Sequence, residues 1–241
     1  MTTASPAAPM TRAELLTLVL LVAAQVVLFL VPLIVLGRAI SWPASLRLPA
    51  SEALPLIAGH AMAVQIGYWG YLLTATAMVP LALALRRFAQ AQGLHGGLSD
   101  TMAAMGVAAA VLKTLGIVRW LSAMPNLAGL HAATTDPIIR VAAEVSYVAL
   151  NSYAGSVGEL LGVQLFSGLW LMLVGIMLLR TNLGINGIAG LVIGAAFATT
   201  ALRSLVPAFE ILSTIVPPLA LGWFAVLAVT LARLTARASK A

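Results

Sequence analysis

The chain has 241 residues, 61% of them hydrophobic and only 8% charged, with a mean hydropathy of +1.04. Soluble domains run at about 45–50% apolar and about 25% charged, so a soluble globular fold is excluded and an integral membrane protein is expected. No cysteine is present, which removes disulfides, thiolate metal sites, iron-sulfur clusters and cysteine nucleophiles. The net charge of +6 comes from residues near span ends, a pattern set by membrane orientation and anionic headgroups rather than by nucleic acid.

In chain order, a short polar tail (1–13) leads into LLTLVLLVAAQVVLFLVPLIVLG. This run is longer than a signal-peptide apolar core and lacks a small-x-small cleavage site, so it reads as a retained first span over 14–37. The Pro-rich RAISWPASLRLPASEALPL reads as an interfacial or partly re-entrant loop. Spans follow at 60–85 and 101–121, separated by the turn RRFAQAQGLHGGLSD.

The longest connection runs from Met124 to Ser156. Its second half predicts a helix over 136–153, with Asp136 as N-cap and Pro137 in the first helical position. Ile138, Val141, Ala142, Val145, Val148 and Ala149 recur at helical spacing, with Arg140 and Glu144 as an i, i+4 pair away from them. The expectation is an amphipathic helix that lies on the membrane or caps the bundle. Three more spans are drawn at 157–179, 186–206 and 211–235, before a tail at 236–241.

The fold class predicted is therefore all-α: one polytopic six-span bundle over 14–235, with the amphipathic helix between spans three and four. Lys and Arg near span ends divide as Arg12, Arg86, Arg87, Arg180, Arg233, Arg237 and Lys240 on one side, and Arg38, Arg47 and Arg140 on the other. The richer side is cytoplasmic. Both tails are then cytoplasmic and the amphipathic helix faces the periplasm of a bacterial inner membrane.

VLKTLGIVRW puts two cations inside the third span. At 1.5 Å per residue from the cytoplasmic end, Lys113 lies about 18 Å deep and Arg119 about 27 Å deep, both in the outer half. Six residues turn a helix by about 240°, so the two cannot share a face, whereas Lys113, Gly116 and Trp120 can. His60, Glu159, Arg203 and Glu210 fall in the same layer. A charge within the membrane costs several kcal/mol unless paired or hydrated, so Arg119 and Arg203 are expected to meet Glu159 and Glu210. Tyr68, Trp120 and Trp170 join them, and Glu159, Val163, Phe166 and Trp170 share a face on an α-helix. These residues suit a small amphipathic or anionic ligand. They suit equally an aromatic belt with ion pairs at helix ends.

In the fifth span, GINGIAGLVIGAAFATT spaces Gly190, Gly194 and Ala198 by four, which permits close helix approach. Packing within the chain is its first use. A homodimer or docking to a larger membrane complex is the other.

No catalytic signature, cofactor site or metal site is found. His60, His95 and His131 occupy different segments, which disfavours a bis-histidine haem site, and HExxH, paired-carboxylate and Walker motifs are missing. Ser156 has no later histidine to activate it, and the sixth span has no lysine for a retinal Schiff base.

YLLTATAMVPLALALRRF, GVAAAVLKTLGIVRWL followed by MPNLA, and GVQLFSGLWLMLVGIMLLRTNLGINGIAGLVIGAA resemble a bacterial family of six-span membrane proteins catalogued as a domain of unknown function. The resemblance covers about two thirds of the chain, and it implies six helices with an external helical excursion after the third. It brings no activity. Binding, sensing or translocating a small amphipathic or anionic molecule is the first functional expectation. An accessory subunit of a larger complex and a lipid-modifying enzyme, with Glu159 or His60 as acid or base, are the alternatives.

Overall fold

The computed structural model describes residues 8–238. The expected tails therefore lie partly outside the described residues, together with Lys240 and the Arg237 side chain of the charge count. Among the described residues the fold is all helical, with no strand. The helices are α1 (Arg12–Ile40), α2 (Ala50–Gly59), α3 (Ala61–Ala91), α4 (Gly97–Leu121), α5 (Ala123–Ala133), α6 (Pro137–Gly155), a π-helical stretch (Ser156–Phe166), α7 (Ser167–Leu179), α8 (Gly184–Thr200) and α9 (Glu210–Ala238).

Among the described residues, five helical stretches are long and apolar enough to cross a membrane: Arg12–Ile40, Ala61–Ala91, Gly97–Ala133, Pro137–Leu179 and Pro207–Ala236. Gly184–Thr200 is apolar but shorter. Large apolar side chains on these helices face outward, among them Leu20 (68% exposed), Val27 (62%) and Val192 (62%). Water would penalise that surface and lipid tails do not. The protein is a membrane protein.

Local sequence explains the helix boundaries. Thr11 and Glu14 close a capping box at α1: the Thr11 amide donates to Glu14 Oε2 (2.7 Å) and the Glu14 amide to Thr11 Oγ1 (3.2 Å). Between α3 and α4 the chain turns at Gly93, whose φ of +80° suits a residue without Cβ. Asp136 caps α6 by accepting from the Ile138 amide at 2.8 Å, with Pro137 in the first turn as expected.

Three sequence expectations need correction. The Pro-rich segment after the first span holds α2, because Pro49 caps it and Ala50, Ala53, Leu54 and Ile57 form a buried i, i+3, i+4, i+7 face. The first half of the long connection is also helical: α5 buries Met124, Ala128 and His131. Finally, no helix boundary marks the start of the expected fourth span near 157, since α6 runs through the π-helical stretch into α7. There the Ser167 hydroxyl donates to the Gly162 carbonyl at 2.7 Å, five residues back.

The chain divides into two compact units. Unit 1 comprises the described parts of Met1–Val26 and Leu161–Ala241 together with Ala77–Ala110; unit 2 comprises Val27–Thr76 and Val111–Leu160. In unit 1 the core gathers Leu18, Leu81, Met102, Trp170, Val174 and Trp223. Its α7–α8 hairpin closes backbone to backbone. A Cβ on Gly194 would sit 2.6 Å from the Met172 nitrogen, and one on Gly187 would sit 2.6 Å from the Leu179 nitrogen. Gly190 faces the Trp223 ring, and the Trp223 indole donates to the Asn186 carbonyl at 2.9 Å. In unit 2, α2, α5 and α6 enclose a core with Leu36, Leu54, Tyr68, Trp120, Met124 and Tyr147.

Gly194→Ala is expected to lower stability in detergent by about 1–3 kcal/mol, because backbone cannot yield to the new methyl. Gly129 of α5 has open space around it, so Gly129→Ala should be neutral or stabilising by up to about 1 kcal/mol. Thermal unfolding of the two variants beside the wild type checks both.

Candidate functional site

Unit 2 holds the more unusual of two polar clusters. Arg119, two residues before the end of α4, turns its guanidinium inward. Its Nη1 donates to the Gly116 carbonyl at 2.5 Å and its Nη2 to Asn151 Oδ1 at 3.3 Å. Its Cζ lies 5.5 Å from the centre of the Trp120 ring, within cation–π range, and Tyr68 stacks on that ring at 4.6 Å with planes 5° apart. Tyr147 lies one turn before Asn151 on α6 and belongs to the same buried cluster.

Glycine makes this arrangement possible. A Cβ on Gly158 would lie 2.8 Å from Gly116 Cα, so α4 and the π-helical stretch touch through bare backbone. Gly155 likewise leaves room for Nη2 of Arg119, 3.3 Å from where its Cβ would stand.

Three polar atoms of the cluster are buried without a hydrogen-bond partner among the described residues: Arg119 Nε and the hydroxyls of Tyr68 and Tyr147. Both tyrosines are only 2% exposed. The Trp42 indole approaches the Tyr68 hydroxyl without reaching hydrogen-bond geometry. Trp42 also packs edge-on against Phe29 (6.3 Å) and Tyr71 (5.9 Å), extending the aromatic wall.

The expected pairing of arginines with glutamates is seen between Arg203 and Glu210. Arg203 Nε lies 3.6 Å from Glu210 Oε2 in unit 1. With its amide oxygen turned toward Arg203, Gln164 accepts from Nη1 at 2.8 Å and donates to the Thr200 carbonyl at 3.2 Å. Ser213 donates to Glu210 Oε1 at 3.3 Å. Arg119 makes no ion pair among the described residues, although Glu159 and Tyr71 are within its electrostatic range.

Of the remaining expected site residues, Lys113 stands on the inward face of α4 with buried Gly116, Ile117 and Trp120, and no hydrogen bond or ion pair holds it among the described residues. His60 is exposed between α2 and α3, its Nδ1 3.0 Å from the Leu56 carbonyl. Trp170 belongs to the unit 1 core, stacked with Phe224 at 6.3 Å. Val163 and Phe166 pack against the core that holds Trp170, while π-helical winding over Ser156–Phe166 changes the angular spacing that an α-helical face with Glu159 assumes. On α6 the expected Arg140–Glu144 pair is replaced: Arg140 donates to the Thr134 carbonyl at 3.0 Å, and Glu144 Oε1 lies 2.9 Å from His131 Nε2.

Sequence reasoning missed Asn151, Tyr147 and the His131–Glu144 contact. Asn151 had a signal, as an amide four residues beyond a tyrosine in an amphipathic helix. Its meeting with Arg119 had none.

The family model described as Domain of unknown function (DUF4386) matches residues 17–234. The chain belongs to this family. The match runs from α1 through α9 and includes every residue of the arginine cluster. Neither a curated protein nor a solved structure matches the chain.

In this DUF4386 protein, Asn151→Leu should destabilise the fold by about 1–3 kcal/mol, because it strips a partly buried guanidinium of an acceptor. Asn151→Asp puts a carboxylate at the same place and should equal or exceed wild-type stability. Melting of both variants in one detergent provides the check, and equal losses in the two would show that the amide, not the acceptor oxygen, matters.

Proposed function

We propose that this DUF4386 protein binds, senses or moves a small amphipathic or anionic molecule through the polar cluster of unit 2. The observation that carries the reading is Arg119: a guanidinium on a membrane-spanning helix, without an ion pair among the described residues, whose Nε is buried and unpartnered. A permanent positive charge in such a setting costs several kcal/mol unless something answers it. A ligand with an anionic or strongly accepting head would do so. Lys113, two turns earlier on the same helix, adds positive potential, and Tyr68 and Trp120 supply apolar wall.

The reading includes six spans. Gly184–Thr200 has 17 residues, the lower limit of the range of about 17–25 that crosses a bilayer, and its glycines hold it against α7. It also includes an inner-membrane location with both termini cytoplasmic, supported by Arg12, Arg86, Arg87, Arg180 and Arg233 near helix ends on one side of such a topology. Most residues of α6 that face away from its neighbours are apolar, including Ile138 (78% exposed) and Val145 (63%), with Arg140, Ser146 and Ser152 among them as polar exceptions. That supports an interfacial helix on the periplasmic side, with the ligand site in the outer leaflet.

Native mass spectrometry of the gently extracted protein tests the reading. Wild type should carry a small-molecule adduct that is lost or strongly reduced in Arg119→Gln and weakened in Lys113→Met. Wild type without any adduct, or an adduct indifferent to both changes, would reject it.

A further inference from the structure

The unpartnered atoms around Arg119 differ in what they can accept, and that difference specifies the head of the ligand. Arg119 Nε carries one hydrogen and has no lone pair to offer, so the partner it lacks must be a hydrogen-bond acceptor. The other two guanidinium nitrogens already donate to Gly116 and Asn151, which fixes the plane of the group. Tyr68 and Tyr147 bring hydroxyls that can donate, and both are unpartnered at 2% exposure. If the nearby Trp42 N–H points at the Tyr68 oxygen, the Tyr68 proton is still without an acceptor. Tyr68 and Tyr147 both lie within electrostatic range of Arg119, and the stacked Trp120 ring joins Tyr68 to the guanidinium.

We infer that Arg119 Nε and the Tyr68 and Tyr147 hydroxyls form a receptor for a single oxyanion, a carboxylate or phosphate monoester, carried at the end of an apolar chain. This rests on the ligand-binding reading above and narrows it. One group with two or more acceptor oxygens answers all three donors at once. An ammonium head would leave Nε unanswered and face a guanidinium, and a simple alcohol offers a single oxygen. The apolar chain follows from the surroundings, since the rings of Trp120, Trp42, Phe29 and Tyr71 and the aliphatic side chains of the unit 2 core give the rest of the molecule mostly apolar surface.

The test compares decanoate, decyl phosphate, decanol, acetate and inorganic phosphate as probes of the purified full-length protein in nonionic detergent. Wild type, Tyr68→Phe and Tyr147→Phe are titrated by calorimetry and melted without probe. Each Phe variant removes an oxygen that has no partner in the protein, so the probe-free melting temperature should stay level or rise. Affinity for decanoate or decyl phosphate should fall about tenfold per hydroxyl, the factor that corresponds to about 1.4 kcal/mol. Decanol binding as tightly as decanoate, with both Phe variants unaffected, would overturn the oxyanion inference and leave the apolar site standing. Acetate or phosphate binding as tightly as the chain-bearing probes would overturn the amphiphile. If no probe binds and the Phe variants melt lower, the hydroxyls serve the fold through internal water and the inference fails. The broader reading then survives only if the native adduct is still lost in Arg119→Gln.

Discussion

A lipid environment cannot answer a hydrogen bond, so every polar group on an apolar helix must find its partner inside the protein or pull something in. Arg119 is where that requirement presses hardest. Two of its guanidinium nitrogens are held by a backbone carbonyl and an amide from α6, and its ring neighbour Trp120 adds a cation–π face. These contacts orient the group without neutralising it. The Arg203–Glu210 ion pair of unit 1 does the opposite: Arg203 has Glu210 beside it and Gln164 turned toward it, so charge and hydrogen bonding are met together.

Close backbone approach is the second theme, because lipid gives helices little hydrophobic reason to associate. In the α7–α8 hairpin, Gly168 and Gly175 meet Gly194 and Gly187 with no room for a methyl group. The Gly116–Gly158 contact serves another end: it brings α4 against the π-helical stretch, next to the turn of α6 that carries Asn151. A tight crossing that elsewhere gives only packing here supports a polar cluster. Over Ser156–Phe166 the wider winding also changes the angular spacing from which an α-helical face would be read.

Much of the fold could be read directly. Apolar runs announced helices long enough to cross a membrane, and Asp136-Pro137 announced the start of α6. The failures share a cause. α2 and α5 are hard to see in the sequence because prolines and short lengths break the apolar runs, yet Pro49 and Pro125 stand at helix starts, where a missing N–H costs nothing, and α2 accommodates Pro55 within its length. Arg140 and Glu144 satisfied a spacing rule, but each found a better partner off its own helix, Thr134 for one and His131 for the other. Spacing states which side chains can meet, and only neighbouring elements decide which do.

By itself, the sequence determined that this chain lives in a membrane, that it is helical, and that Lys113 and Arg119 are out of place in an apolar helix. Those conclusions follow from composition and periodicity, which depend on neighbours along the chain. Tertiary structure decided that Asn151 and Tyr147 come to Arg119, that Gly187, Gly190 and Gly194 of α8 face α7 and Trp223, and that Arg119 Nε and two tyrosine hydroxyls lack a partner among the described residues. Each is a matter of distance between residues far apart in sequence, set by how closely bare backbone lets helices approach.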